Sequence, residues 1–300
     1  MTARGTQRKW GRRNITRQVL IGIIAVVFVL WTLAPIYWLF ISAISPTAEL
    51  ASYPPHWFPE EPNFNRLRAI LSSGLLSSSS MQTMARPAEF FRKALGNSFV
   101  VSLTTTAICL TLGTLSGYAF ARLRFPGRRL FMLLPLALQM LPPIALAIPL
   151  FMLLERIRLI DTLFGLILVY PSFLLVYVIW IMSSYYQSLP NELEDAARVD
   201  GCTRLGVFTR VVLPLSRPAL FSTGLLTFLL AWDEFLYALV LTTNQAKTMP
   251  VAIGEFSTQF GVDFGMMMAG GLLASIPPIL IAVLFQPLLV RGITAGSVKG

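Results

Sequence analysis

Charge is scarce in this chain. Only 13% of its 300 residues are Asp, Glu, Lys or Arg, and the acidic ones number 14. A soluble globular domain carries about twice that share, so an ordinary water-soluble fold is excluded. Cysteine is nearly absent: Cys109 lies in an apolar block and Cys202 in a polar stretch, so no disulfide scaffold is expected and neither has a metal-ligand neighbour. The single histidine, His56, sits among prolines and has no partner for a catalytic dyad. No glycine-rich phosphate loop ending in Lys-Ser/Thr occurs, no HExxH, no GxSxG and no cysteine metal cluster. Such a chain cannot hydrolyse ATP by itself.

What remains is apolar. Hydrophobic residues make up 55%, and the mean hydropathy is +0.68. Six blocks, near 19–44, 96–121, 130–154, 163–183, 218–241 and 269–290, are each long enough to cross about 30 Å of hydrocarbon as a helix. No short alternating segments suggest a membrane barrel, so the expectation is an all-α membrane protein of six transmembrane helices. The first block, about 26 residues without a small-residue cleavage site after it, is read as a retained span rather than a signal peptide.

The net charge of +10 is arranged by topology. Arg4, Arg8, Lys9, Arg12, Arg13 and Arg17 precede the first span, and Arg122, Arg124, Arg128 and Arg129 follow the second. Arg198, Arg204, Arg210 and Arg217 lie before the fifth span, and Arg291 and Lys299 after the sixth. The loop 242–268 has only Lys247. The positive-inside rule therefore puts both termini in the cytoplasm and argues against a nucleic-acid arm. The expected organisation is a basic tail (1–18), a six-span domain (19–290) with an outer loop (45–95) and a polar cytoplasmic loop (188–215), and a cytoplasmic C-terminal tail (291–300).

Within the spans, Pro35 predicts a kink in the first, and Gly113 and Gly117, at i and i+4, predict close helix packing in the second. Pro135, Pro142-Pro143 and Pro149 predict a bent or broken third span, where Gln139 either faces a pore or makes an interhelical hydrogen bond. The fifth span contains Trp232-Asp233-Glu234-Phe235. Carboxylates inside a span need protein or water beside them, so Asp233 or Glu234, with Trp232 and Tyr237, either lines a translocation path or pairs with neighbouring helices. Pro277-Pro278 predicts a break in the sixth span. The Pro- and aromatic-rich start of the outer loop (Tyr53, Trp57, Phe58, Phe64) reads as an ordered interfacial piece, and Ser72–Ser80 as a polar tip.

The loop Ser188–Leu215 reads as two short amphipathic helices. Asn191 and Glu194 have capping-box spacing, Asp200-Gly201 ends the first helix, and Thr203 caps a second with Leu205, Phe208 and Val212 on its apolar side. The pattern alone fits either a docking element or an ordinary interfacial loop.

Asp195-Ala196-Ala197, Asp200-Gly201, Phe208 and Leu213-Pro214-Leu215 resemble the EAA loop of binding-protein-dependent ABC importer permeases, with Asp195 where that pattern has glutamate. Ser45-Pro46, Tyr53-Pro54-Pro55, Trp57-Phe58-Pro59 and Asn97-Ser98 resemble carbohydrate-type members, and Gly292–Gly300 the tail of the second permease of maltose/trehalose-type importers. The resemblance implies a type I importer bundle. It implies ATPase coupling through Glu194, Asp195, Ala196, Ala197, Asp200, Gly201, Leu205, Phe208 and Pro214, and a second ATPase contact at Gly296, Ser297, Val298, Lys299 and Gly300. It further implies a homologous six-span partner permease, two ATP-binding subunits that hold ATP and Mg²⁺, an extracytoplasmic sugar-binding protein, and a place in a bacterial inner membrane. No cofactor is expected in this chain. The alternatives are an ion-driven secondary transporter using Asp233 and Glu234, against which stand the lack of an internal repeat and the docking loop, and an intramembrane enzyme, which lacks partnering residues.

Overall fold

The computed structural model describes residues 6–71, 82–258 and 261–297, with side chains described for 17–71, 90–257 and 263–286. In chain order the helices are α1 (Thr6–Ile44), α2 (Thr47–Leu50), α3 (Asn65–Leu71), α4 (Gln82–Arg122), α5 (Arg128–Leu138), α6 (Pro143–Arg156) and α7 (Leu163–Ser188). They continue with α8 (Asn191–Val199), α9 (Arg204–Val207), a π-helical turn at Phe208–Val212, α10 (Leu213–Leu215), α11 (Arg217–Trp232), α12 (Leu236–Leu241), α13 (Met249–Gly254) and α14 (Phe264–Ser297). The only strands among the described residues are β1 (Ser257–Thr258) and β2 (Gly261–Val262), one antiparallel pair.

Four helical stretches are each long and apolar enough to cross a membrane alone: Arg17–Ile44, Phe90–Arg122, Leu163–Ser188 and Phe264–Gln286. The third expected span is broken, with α5 and α6 meeting at 96°. The break falls at Pro142-Pro143 for a local reason. Pro142 is extended (φ −58°, ψ 128°), as a residue before proline prefers, and Pro143 starts the new helix where its missing N–H is not needed. The fifth expected span is also interrupted, at Asp233–Phe235 between α11 and α12. α4 is helical from Gln82, ahead of the span expected near 96–121, and its apolar stretch begins at Phe90. One expectation about the spans is corrected. The sixth does not break at Pro277-Pro278, because α14 runs through both. In an apolar helix each proline removes one backbone hydrogen bond, but leaving the helix in lipid would strand more.

The chain divides into two compact units, 1–69 with 256–273 and 70–255 with 274–300. In the first, nothing within the Arg17–Ile44 stretch's most apolar window is buried, the pattern of a helix that meets lipid or a partner chain. Trp57 lies edge-on to Trp38 at 5.5 Å, and the Tyr37 hydroxyl donates to the Trp57 carbonyl at 2.7 Å, so the aromatic piece of the outer loop is ordered. Buried Arg66 donates to the Ser45 carbonyl (2.5 Å) and the Thr47 hydroxyl (2.7 Å). The serine-rich stretch 72–80 lies outside the described residues.

In the second unit, α4 and α7 form the most extensive helix pair, and α11 packs on both. Gly113 and Gly117 make the close approach: a Cβ at Gly113 would stand 2.4 Å from Val178 Cγ1, and one at Gly117 3.0 Å from Met182 Cβ. Val101, Cys109, Tyr170, Val178, Met182 and Tyr186 are wholly buried around this seam.

With inner and outer assigned by the basic residues, the outer end of this unit is held by polar contacts. Asn97 donates from Nδ2 to the carbonyls of Gln245 and Lys247 at 2.9 Å each, and Ser98 Oγ accepts from the Met249 N–H at 2.7 Å. Asp161 accepts the backbone N–H groups of Thr243, Asn244, Gln245 and Ala246 at 2.9–3.1 Å.

Candidate functional site

Two places concentrate polar residues where an apolar chain can least hold them: the loop after α7 and the break between α11 and α12. In the loop, α8 begins at Pro190-Asn191 and ends where Gly201 takes φ +84°, the left-handed conformation expected of it. Thr203 caps α9 as expected, its hydroxyl accepting the Gly206 N–H at 3.2 Å. The expected Asn191–Glu194 capping box does not form. Glu194 turns instead to the end of α4, where Arg122 Nε donates to Oε1 at 2.6 Å and the Tyr118 hydroxyl donates to Oε2 at 2.8 Å. Arg122 also donates to Asn191 Oδ1 (2.6 Å) and the Leu189 carbonyl (2.7 Å). A tertiary charge-assisted pair outcompetes a local cap because it satisfies the guanidinium as well.

Beneath this contact, Tyr118, Tyr186 and Phe208 form one aromatic cluster, with Tyr118–Phe208 centroids 5.0 Å and Tyr118–Tyr186 5.9 Å apart. Ala197, Val207, Phe208 and Val212 are buried, and Pro214 is half-buried. Leu205, expected on the same apolar side, is instead 66% exposed. The buried stripe is set by Val207, Phe208 and Val212, and the first turn of α9 carries Leu205 away from it. Asp195, Ala196, Asp200 and Gly201 are exposed, as are Leu193, Arg198, Val199 and Arg204. The result is a two-sided element. One side is sewn to the bundle, and the other shows Val199 and Leu205 among charges.

At the break in the fifth span, Glu234 caps the second half-helix: its oxygens accept the N–H groups of Tyr237 (2.8 Å) and Ala238 (3.0 Å). The helix needs such an acceptor because its first N–H groups have no partner of their own. Asp233 is exposed, and while its N–H donates to the Leu229 carbonyl at 3.0 Å, its carboxylate has no hydrogen-bond or ion-pair partner among the described residues. Trp232 is buried and stacked on Phe228 (5.6 Å). Gln139, at the α5–α6 break, donates to the Phe173 carbonyl at 2.7 Å, and the Phe173 ring stacks on Tyr237 at 5.2 Å. The two helix breaks therefore share Phe173, which joins Gln139 to Tyr237. Of the predicted C-terminal contact residues, Gly296 and Ser297 end α14, and Val298, Lys299 and Gly300 lie outside the described residues.

Sequence reasoning missed Arg122, Tyr118, Phe173 and Asp161. Only Arg122 left a signal, as an arginine closing a span, which the positive-inside rule explains without any partner.

A helical bundle with two interrupted spans and a polar loop fastened to one end defines a multi-pass membrane permease. The family model described as "Binding-protein-dependent transport system inner membrane component" matches residues 109–295. The chain is 38% identical to the trehalose transport system permease protein SugB of Mycobacterium tuberculosis, covering 90% of this chain and 93% of that one. It is 33% identical to the trehalose/maltose transport system permease protein MalG of Thermococcus litoralis, over 96% and 99%. The chain belongs to the binding-protein-dependent transport system inner membrane component family. Its fold is that of a type I ABC importer permease. It superposes with a TM-score of 0.68 on a chain of a bacterial ABC transporter involved in import of the acidic polysaccharide alginate, at 23% identity, covering 96% of this chain and 98% of that one.

Proposed function

We propose that this chain is the permease subunit of an ATP-driven sugar importer in a bacterial inner membrane, with both termini cytoplasmic. It forms half of a translocation pathway beside a homologous permease. ATP and Mg²⁺ are bound and turned over by two separate ATP-binding subunits, and an extracytoplasmic binding protein delivers the solute. The observation that carries this is the two-sided loop. Its exposed face, with Asp195, Ala196, Asp200, Gly201, Val199 and Leu205, is free for a partner, while Arg122 anchors the opposite side. The C-terminal residues Gly296–Gly300 form the second contact. The transported class follows the relatives named for trehalose and maltose, and a disaccharide is the first solute to test. In the path itself, Asp233 is the one carboxylate of the fifth-span pair not consumed by a backbone cap. Gln139 and Tyr237 frame the same region through Phe173, Trp232 supports it from behind, and Glu234 holds its backbone.

The test is purification of the tagged chain from its native membranes, with co-purifying proteins identified and trehalose and maltose offered to the reconstituted complex. A second six-span protein and an ATPase are expected. Leu205→Asp, at an exposed position, is expected to lose the ATPase while the chain stays inserted. A homo-oligomer without ATPase would overturn the reading.

A further inference from the structure

Two well-separated places on α4 hold two loops, 189–199 and 243–249, and nothing in the sequence pattern ties them together. At the inner end, one guanidinium grips Glu194, Asn191 and the Leu189 carbonyl, and the Tyr118 hydroxyl one turn earlier takes the other Glu194 oxygen. The ion pair is largely enclosed, with 13% and 14% of the two side chains exposed. Toward the outer side, fifteen residues inside the start of α4, Asn97 and Ser98 take the carbonyls of Gln245 and Lys247 and the N–H of Met249. Between Asn97 and Arg122 the helix is uninterrupted, a rod of roughly 38 Å at the 1.5 Å rise of an α-helix. α7 is also unbroken from Leu163 to Ser188, but it joins α8 through the extended Leu189-Pro190 link and reaches residues 243–246 only through Asp161, in the loop before it. The onward connection is more broken still. The loop 200–216 reaches α11 through a left-handed glycine, a π-helical turn and a 76° bend, and α11 is itself broken before α12.

We infer that α4 is the transmission element of the permease, with Arg122 and Asn97 as its positioning residues. Displacement of α8 by the ATPase subunits passes through the Arg122–Glu194 pair into α4 and leaves at Asn97 and Ser98 as a displacement of residues 243–249. The fork of the guanidinium suits this role. With Tyr118 it sets four hydrogen bonds from two adjacent turns of α4, so α8 cannot rotate against α4 without breaking charge-assisted bonds. A rigid helix carrying a contact at each end is the physical link that coupling between distant sites requires. This rests on the ATPase-docking function proposed above.

The test is amide hydrogen exchange on the complete complex purified from native membranes, with and without ATP and vanadate. In the wild type, nucleotide is expected to change exchange at 191–199 and at 243–249. Arg122→Gln is expected to keep the ATPase subunit and the change at 191–199 but to weaken the change at 243–249 about tenfold. The exchanged pair Arg122→Glu with Glu194→Arg is expected to restore it, and Asn97→Ala to lose it while α8 still responds. A purely structural role would alter exchange equally with and without nucleotide. Transmission through α4 is overturned if the nucleotide-dependent change at 243–249 is absent in the wild type or survives in Arg122→Gln. Absence of any ATPase from the wild-type preparation would instead sink the docking function.

Discussion

Arg122 and Asp161 are each a single charged side chain that ties a loop to the bundle, and they do so in opposite ways. Arg122 reaches out from a helix and meets mainly side chains, Glu194 and Asn191, with one carbonyl. Asp161, itself in a loop with φ +57°, gathers four consecutive backbone N–H groups. Side chains can re-pair when two elements shift, whereas a carboxylate inside a nest of amides fixes the backbone conformation of 243–246 as one piece. The inner fastening suits a part that is pushed. The outer suits a part that moves as a unit.

Breaking the seam between the two fastenings has the largest expected effect. Gly113→Leu places atoms where Val178 already stands, so α4 and α7 must part. The cost is about 3 kcal/mol, read as a lowered Tm of the purified chain, and it disturbs both ends at once. An unchanged Tm would mean the helices are not in contact there.

Asp161→Ala removes only the outer fastening and is expected to cost about 2 kcal/mol from lost charge-assisted hydrogen bonds, with exchange at 243–246 quickened and that at 191–199 unchanged. The same bonds predict a pH dependence. Partial burial raises the Asp161 carboxyl, but the N–H groups of Gln245, Ala246, Thr243 and Asn244 outweigh it and hold the group well below the usual carboxylate range. A folded value below the unfolded one means the stabilisation is complete above about pH 4 and is lost as pH falls through the folded value. Exchange at 243–246, corrected for its intrinsic pH dependence, should rise on acidification in the wild type and not in Asp161→Asn.

Gly201→Ala forces a side chain into the left-handed region and is expected to cost about 1 kcal/mol, confined to the inner loop. Leu205→Ser should be within about 0.5 kcal/mol of the wild type, because the residue is on the surface. A larger loss would return it to the buried side where its periodicity first placed it.

The fold was legible wherever one physical requirement dominates. Long apolar blocks have few alternatives to spanning helices, Gly113 and Gly117 had few uses but close packing, and Pro142-Pro143 had to break something. Legibility failed at Pro277-Pro278, where local breaking tendency lost to the need of a lipid-exposed backbone to stay hydrogen-bonded. In the loop, Gly201 and Thr203 were readable because capping is local. Glu194 was not, because the guanidinium that outcompetes its local cap belongs to a helix 72 positions earlier and is brought beside it only by the fold.

By itself the sequence determined the all-helical, membrane-spanning class and the family resemblance of the loop, both consequences of composition or of patterns within a few residues. The tertiary structure alone decided which face of that loop is fastened and which is free, that Glu234 is taken up by the backbone while Asp233 is left exposed, and that α4 joins both loops. Each depends on residues from 67 to 151 positions apart meeting within hydrogen-bond distance or, for Asp233 and Glu234, on how a helix break turns two adjacent carboxylates apart.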